Sequence, residues 1–370
     1  MTPLQDAVDV SAIRRALVVK LRHHGDVLLT SPVFTTLKRA APHADIDALV
    51  YRETAPMLAN HPAIAQLFTI ERTRDKGGFI AGVAHERALI WSLRARRYDL
   101  LVHLTEHPRG ATLARILRPR YSVARERSDA GAWWKKSFTH EYRLPRATPR
   151  HTVETNLDAL RRLGVYPRPE DKPLVLVPGA SAVATAEEVL RLHGLVPRGF
   201  IQCHPGSRWL FKCWPAQKTA ALLDRLARAG HAIVITGAPD PRERELVGEI
   251  MAGIAPDTRE RVKDATGTLR LDALAALTAR ARAFVGVDSA PMHIASAMQV
   301  PVVALFGPSG ELEWGPWMVP HRIVVSHEFP CRPCGIDGCG GGKVSECLTT
   351  LDVDRVASAV FEVLAAARVS

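Results

Sequence analysis

Short runs of aliphatic and β-branched residues alternate along this chain with longer stretches whose apolar positions recur every three to four residues. In the first half the runs predict strands at 16–20, 45–50, 67–70 and 100–104. The periodic stretches between them predict helices at 32–41, 54–60, 83–97, 108–117 and 151–163. A Pro-rich, charged interval at 164–178 follows, broken only by a short strand pattern at 174–177. The alternation then resumes, with strands at 200–204, 232–236, 283–287 and 302–306 and helices at 217–229, 242–252, 271–281, 291–298 and 353–368. Alternation of this kind predicts an α/β fold built on doubly wound parallel sheets. At 370 residues the chain is long for one core, so two Rossmann-like domains are expected with an interdomain cleft. The boundaries read as 1–170, 171–352 and a closing helix at 353–370 expected to pack back on the first domain.

Open sheets of this class bind ligands at the carboxyl ends of their strands. The first strand ends abruptly in Lys20-Leu21-Arg22-His23-His24-Gly25-Asp26, followed by an apolar helical pattern. Asp26 is thereby placed at a ligand-facing edge, beside three groups that carry or accept protons. A helix N-cap is the other role open to a carboxylate there.

Charge separates the two halves. Residues 1–170 hold 28 Lys and Arg against 17 Asp and Glu, while residues 171–370 hold 21 against 21, so the whole excess of +11 lies in the first domain. Such a field suits an anionic partner, and solubility alone would not confine it to one half. No apolar run is long enough to span a bilayer, and the first fifteen residues lack a signal-peptide core. These features predict a cytoplasmic protein whose six cysteines are thiols or metal ligands rather than disulfides.

Three strand ends in the second half carry polar loops. Asp288-Ser289-Ala290-Pro291-Met292-His293 joins a strand to a helix, with Pro291 suited to the first turn. The free N–H groups of that turn favour an anion, His293 can donate to it, and Asp288 can take sugar hydroxyls. His204-Pro205-Gly206-Ser207-Arg208 and then Lys212 supply a second set of donors. The third loop, after 232–236, leads to Glu243, an acidic candidate for ribose hydroxyls. Two cationic or dipolar loops with one acidic loop suit a nucleoside diphosphate. With neither G-x-G-x-x-G nor a Walker A motif present, a dinucleotide cofactor and NTPase chemistry are disfavoured.

The run 20–32, the segment 287–297 and Pro-Val-Val-Ala-Leu-Phe-Gly-Pro-Ser at 301–309 together resemble the ADP-heptose:lipopolysaccharide heptosyltransferases of glycosyltransferase family 9. The Arg-His-His-Gly-Asp form and the late cysteine-rich segment are most similar to the subtype III members. The resemblance implies a GT-B fold and inverting transfer of heptose from ADP-heptose to a lipid A–core acceptor. It implies Asp26 as general base, Lys212 on the donor phosphates, and Ser207, Arg208, Asp288, Ser289, Ala290 and His293 in the donor site. Ala290 replaces a glycine common in that loop, and Glu243 is the acidic candidate near the ribose. No cofactor or metal is required by this reading, because cations and N–H groups neutralise the leaving ADP. The readings from another class are a related transferase using a different nucleotide sugar, and a non-catalytic binder of nucleotide sugar or lipid A–core.

Arg22, His23, His24, Arg120, Trp133, Lys135 and Lys136 are the acceptor-side candidates, since the lipopolysaccharide core is anionic and tryptophan stacks on sugars or sits at a membrane interface. A solvated basic face with one tryptophan turned inward is the competing reading. Peripheral attachment at the cytoplasmic face of the inner membrane follows from the acceptor, and no nucleic-acid motif is present. Cys331, Cys334, Cys339 and Cys347 have ligand-like spacing, for which a structural zinc and free loop-shaping thiols both stand open.

Overall fold

Six parallel strands form the first sheet: β1 (Arg15–Lys20), β2 (Asp45–Tyr51), β3 (Gln66–Ile70), β4 (Leu100–His103), β5 (Tyr121–Arg125) and β6 (His140–Tyr142). Six more form the second: β7 (Phe200–His204), β8 (Ala232–Ile235), β9 (Val262–Asp264), β10 (Ala283–Val287), β11 (Val302–Phe306) and β12 (His321–Val325). These come from a computed structural model that describes residues 6–72, 78–145 and 148–366. The chain divides into two units, Met1–Val177 and Pro178–Ser370, one around each sheet.

The strand orders are the same in kind. The first sheet runs β3-β2-β1-β4-β5-β6 and the second β9-β8-β7-β10-β11-β12. Each is the doubly wound order in which the chain reverses direction across the sheet between its first and fourth strands. In the first unit that reversal lies between β1 and β4, where Ala16 pairs with Leu100 and Val19 with His103. In the second it lies between β7 and β10, where Ile201 pairs with Ala283 and His204 with Gly286. A crevice between diverging loops therefore exists in each unit at the carboxyl ends of those two strands.

Both faces of each sheet are buried, which is why the strands read as continuous apolar runs rather than alternating ones. In the second unit alternate residues serve opposite layers. Ile201, Cys203, Ile233, Ile235, Val285 and Val287 pack under helices Ala216–Arg228, Pro241–Gly253 and Val353–Ala366. Phe200, Val234, Phe284, Val302 and Ala304 pack under helices Ala180–Leu192, Leu271–Thr278 and Ala290–Ala297. In the first unit Leu17 and Val19 of β1, with Leu21 just after it, share a layer with Leu93, Leu113, Trp134 and Phe138.

Four expectations change. The closing helix, expected to pack back on the first domain, buries Val356, Val360, Val363 and Leu364 in the second unit's own core. Residues 367–368 of that expected helix lie outside the described residues. The boundary falls at 177/178 instead of 170/171, because 171–177 packs on the first unit. Asp171 accepts two hydrogen bonds from Arg39 Nε (2.7 and 3.0 Å), and Val175 N–H donates to Ser31 Oγ at 2.9 Å. That stretch is irregular, not the strand expected at 174–177, although Leu174 and Leu176 are buried. The helix expected at 54–60 is a 3-10 turn, Arg52–Met57, with Pro56 inside it.

Candidate active site

The carboxyl edge of the first sheet carries Asp26. After β1 the chain turns at Arg22 and His23 into a five-residue helix, His24–Leu28, in whose first turn Asp26 stands half-buried. A carboxylate there is favoured by the helix dipole and by the free N–H groups of the turn. No side chain caps this helix, so Asp26 is not its N-cap residue. His24 Nε2 donates to the Glu53 carbonyl at 2.9 Å, tying the turn to the segment after β2. Arg72 donates to the Arg22 carbonyl at 3.0 Å and, through Nε, to Glu53 at 2.6 Å. Behind the turn, Leu21 N–H donates to Thr105 Oγ1 at 3.0 Å, linking the ends of β1 and β4.

The same edge receives the short helix Ala132–Lys135, which follows β5. Its two tryptophans divide. Trp134 is buried against His103 and Phe138, with Arg127 over its ring, whereas Trp133 is 47% exposed beneath the Arg115 guanidinium. Lys135 and Lys136 are exposed beside it. Arg120 stands elsewhere: it precedes β5 and lies over Tyr121, at the amino edge of the sheet. A five-residue strand of about 3.3 Å per residue separates that edge from the carboxyl edge. Arg120 is thus not brought together with Asp26. Much of the basic stretch is also neutralised locally, by the pairs Arg125–Glu106, Arg127–Asp129 and Arg143–Glu126.

The carboxyl edge of the second sheet gathers the expected donor-side residues. Lys212, at the end of a 3-10 turn after β7, places Nζ 2.6 Å from Asp288 Oδ2 at the end of β10. The pair bridges the two strands that flank the reversal of the sheet. Ser289 occupies the N-cap position of helix Ala290–Ala297, but its hydroxyl donates backwards to the Val287 carbonyl at 3.2 Å and caps nothing. A helix start left uncapped by side chains keeps N–H donors and positive dipole for an anion. His293 is buried in the first turn of that helix, one turn from Asp288. Ala290, in place of glycine, is accommodated as its first residue. Ser207 is buried with Oγ 3.4 Å from Trp209 N, and Arg208 is exposed with its guanidinium over Trp209.

A buried polar layer supports these loops from behind, and the sequence did not reveal it. His204 Nδ1 lies 2.9 Å from Thr236 Oγ1, which also accepts from Gln202 Nε2 at 3.1 Å. Burial pulls the His204 imidazole down to about 4, so it is neutral near pH 7. Glu243, in the first turn of helix Pro241–Gly253, accepts from Ala238 N–H at 2.7 Å and faces His204 Nε2 at 3.7 Å. Burial pushes its carboxyl above the usual range. A Cβ on Gly206 would come within 2.6 Å of Glu243 Oε2, so glycine lets the loop after β7 lie directly on this carboxylate. In this arrangement Glu243 joins the loops after β7 and β8. The signal for the layer was present only as polar residues, Gln202, His204 and Thr236, within or beside strands that otherwise read as apolar.

Of the two readings open for the cysteine segment, a structural zinc and free loop-shaping thiols, the zinc finds no support in the geometry. Among the described residues no group of three or more His, Cys, Asp or Glu side chains is arranged to hold a metal ion. Cys331, Cys334 and Cys339 are exposed, while Cys347 is buried beside Leu348 under Gly307. Other contacts hold the loop: Arg332 donates to the Gly307 carbonyl at 2.6 Å and to Glu311 at 3.0 Å, and Cys339 Sγ accepts from Glu346 N–H at 3.4 Å.

Comparison with known proteins agrees with this layout. Residues 86–344 match the model of glycosyltransferase family 9 (heptosyltransferase). The chain is 36% identical over 317 residues to lipopolysaccharide heptosyltransferase 3 of Escherichia coli, covering 84% of this chain and 90% of that one. A glycosyltransferase family 9 structure from Veillonella parvula superposes with a TM-score of 0.82 at 25% identity, covering 98% and 100% of the two chains. E. coli heptosyltransferase WaaC with ADP-2-deoxy-2-fluoro heptose shares the fold, with a TM-score of 0.69 at 20% identity and 95% and 99% coverage. Two parallel-sheet α/β units of GT-B type, family-wide coverage and the motif residues at both strand reversals lead to one statement: this chain belongs to glycosyltransferase family 9, the heptosyltransferases.

Proposed function

We propose that the protein transfers heptose from ADP-heptose to the inner core of lipopolysaccharide, as a subtype III-like inverting heptosyltransferase. The observation that carries this reading is that the residues expected for base and donor chemistry stand at the sheet reversals of a family 9 fold. Asp26 would take the proton from the acceptor hydroxyl as its oxygen attacks the anomeric carbon. The anomeric bond to ADP breaks, and the pyrophosphate charge is met by Lys212, the His293 ring and the N–H groups that open helix Ala290–Ala297. No metal is needed for that neutralisation in this reading. Asp288 orients Lys212 and offers acceptors to sugar hydroxyls, while Ser207 and Arg208 complete the phosphate side. Glu243 acts on the ribose side chiefly by setting the loops that frame it.

Trp133, Lys135 and Lys136 are the acceptor-side groups that the sheet edge supports, with Arg22 and His23 nearer the base. An anionic, lipid-linked acceptor fits the basic first unit and implies peripheral work at the cytoplasmic face of the inner membrane. No helix among the described residues is long and apolar enough to cross a membrane.

The test is transfer from ADP-heptose to a purified, heptose-truncated core acceptor, compared between wild type and Asp26→Asn. The variant should bind ADP normally and lose about 10²–10⁴-fold in turnover, the usual worth of a general base. Wild-type turnover in Asp26→Asn would remove Asp26 from this role. Absence of transfer by the wild-type protein from ADP-heptose, with transfer from another nucleotide sugar, would replace the donor.

A further inference from the structure

Lys20 is a buried ammonium with no carboxylate bonded to it among the described residues. It closes β1, is 6% exposed, and donates to the Leu104 carbonyl and to Asn156 Oδ1, each at 3.1 Å. Both acceptors are neutral. Buried lysines are rare without an anionic partner, because desolvation of the charge is costly. Methionine or leucine would fill the same space without that penalty, so the charge itself needs an explanation.

The surroundings supply one. Asn156, itself 4% exposed on helix Thr152–Arg161, also donates through Nδ2 to the Leu29 carbonyl at 3.1 Å. Leu29 caps the end of the short helix that carries Asp26. Lys20 precedes that turn and Leu29 ends it, so the Lys20–Asn156 contact fastens both ends of the Asp26 segment to one helix. Asp26 and Glu106 are the anions within electrostatic reach of the ammonium, with Arg22 opposing them. The other groups around this edge are His23 and His24 on the turn, His103 and His107 at the end of β4, and Glu53 and Arg72 after β2 and β3.

We infer that Lys20 is a positioning residue for Asp26: its ammonium, held through Asn156, clamps both ends of the turn that carries the carboxylate. The inference rests on the reading of Asp26 as the base. Burial draws the Lys20 ammonium down to about 8, and the negative field of Asp26 works against that loss. Removing the Asp26 charge should therefore register at Lys20.

The experiment has two arms on the full-length protein. In the first, Lys20→Met is assayed for heptose transfer across pH, after circular dichroism confirms its fold. Its kcat should fall roughly 10- to 100-fold, within the range expected for a weakened general base. The donor KM should stay put, so that the loss falls on kcat alone. An unchanged kcat in the folded variant, or a loss confined to the donor KM, overturns the inference. The second arm leaves Lys20 intact and follows its ε-carbon by NMR titration. The midpoint near 8 should drop in Asp26→Asn, and the same midpoint in both proteins overturns the inference even if Lys20→Met fails to fold. Wild-type turnover in Asp26→Asn would instead sink the assignment of the base. Loss of turnover there with no response from Lys20 sinks only the present inference.

Discussion

Two sheets of the same strand order carry opposite chemistry on their carboxyl edges. The first edge presents a half-buried carboxylate, the proposed base, with a buried ammonium that bonds neutral acceptors behind it. The second presents a lysine and an aspartate locked together at 2.6 Å beside an uncapped helix, an anion site with its own counter-ion in place. The backbone provides a crevice in both, and the residue types at strands one and four decide its use. The difference also explains why charge counts alone mislead. The first unit is the basic one, yet many of its arginines are spent on local carboxylates, while the concentrated cation of the donor side lies in the neutral unit.

The comparison can be broken by perturbing one edge and reading both. Trp134→Ala should have the largest effect on stability, about 3–5 kcal/mol, because it empties a buried site between His103 and Phe138. Denaturant unfolding would show the loss in the first unit, with ADP affinity of the native protein retained. Equal weakening of ADP binding would mean that the two edges are not independent.

Acid comes next. Burial pulls His61 down to about 4, His103 to about 3 and His204 to about 4, against about 6.5 in an unfolded chain. Between pH 6.5 and 4 the unfolded state takes up protons that the folded state refuses, so stability is full above 6.5 and falls as pH drops through this window. The ceiling is roughly 3 kcal/mol each for His61 and His204 and roughly 5 kcal/mol for His103, taking about 1.4 kcal/mol for every tenfold loss of proton affinity on folding. Two of the three lie in the first unit, which should therefore melt first on acidification. Thermal unfolding at pH 7 and pH 4.5 with a probe in each unit checks the order, and earlier loss of the second unit would contradict it.

Lys212→Met should weaken ADP about 10- to 100-fold, the scale of one lost charge-assisted hydrogen bond. It also leaves Asp288 buried without its cation, so Lys212→Met combined with Asp288→Asn should recover part of the affinity. Calorimetric titration of ADP into the three proteins decides this. No recovery in the double variant would mean that Asp288 contributes directly to the ligand. Smallest of all, Trp133→Ala should change stability by less than about 0.5 kcal/mol, since the ring is largely exposed, while raising KM for the core acceptor. An unchanged acceptor KM would leave Trp133 as a simple surface residue.

The apolar runs that became β1, β4, β7, β10 and β11 were readable because strands buried on both faces have no alternative to Val, Ile, Leu, Phe and Ala. Elements nearer the sheet margins escaped. β12 opens with exposed His321 and Arg322, β9 is three residues long, and the first turns of helix Ala180–Leu192 bury only Ala182 and Ala186, too small to mark a stripe, ahead of Val189 and Leu190. The stretch 174–177 misled for the opposite reason: its alternating leucines are buried, but their partners lie in a loop-on-helix contact rather than a ladder. The placement of Asp26, Lys212, Asp288 and His293 at the carboxyl edges of the sheets was legible from their position after strands. The Lys212–Asp288 contact was not, since its partners stand 76 residues apart and only the pairing of β7 with β10 unites them. Arg120 was misplaced because charge density along a chain does not say which edge of a sheet a residue faces.

That pairing has a kinetic side. Most neighbouring strands here are joined by a single crossover, but Ala16 must find Leu100 and Ile201 must find Ala283, each after about eighty intervening residues have been ordered or looped out. Closing the longest loop is the step that chain entropy delays most, and non-local parallel pairing is slow. Each half of the molecule therefore completes its carboxyl-edge crevice at the seam that closes last, and a partly folded copy, with most of its helices formed, would hold neither crevice.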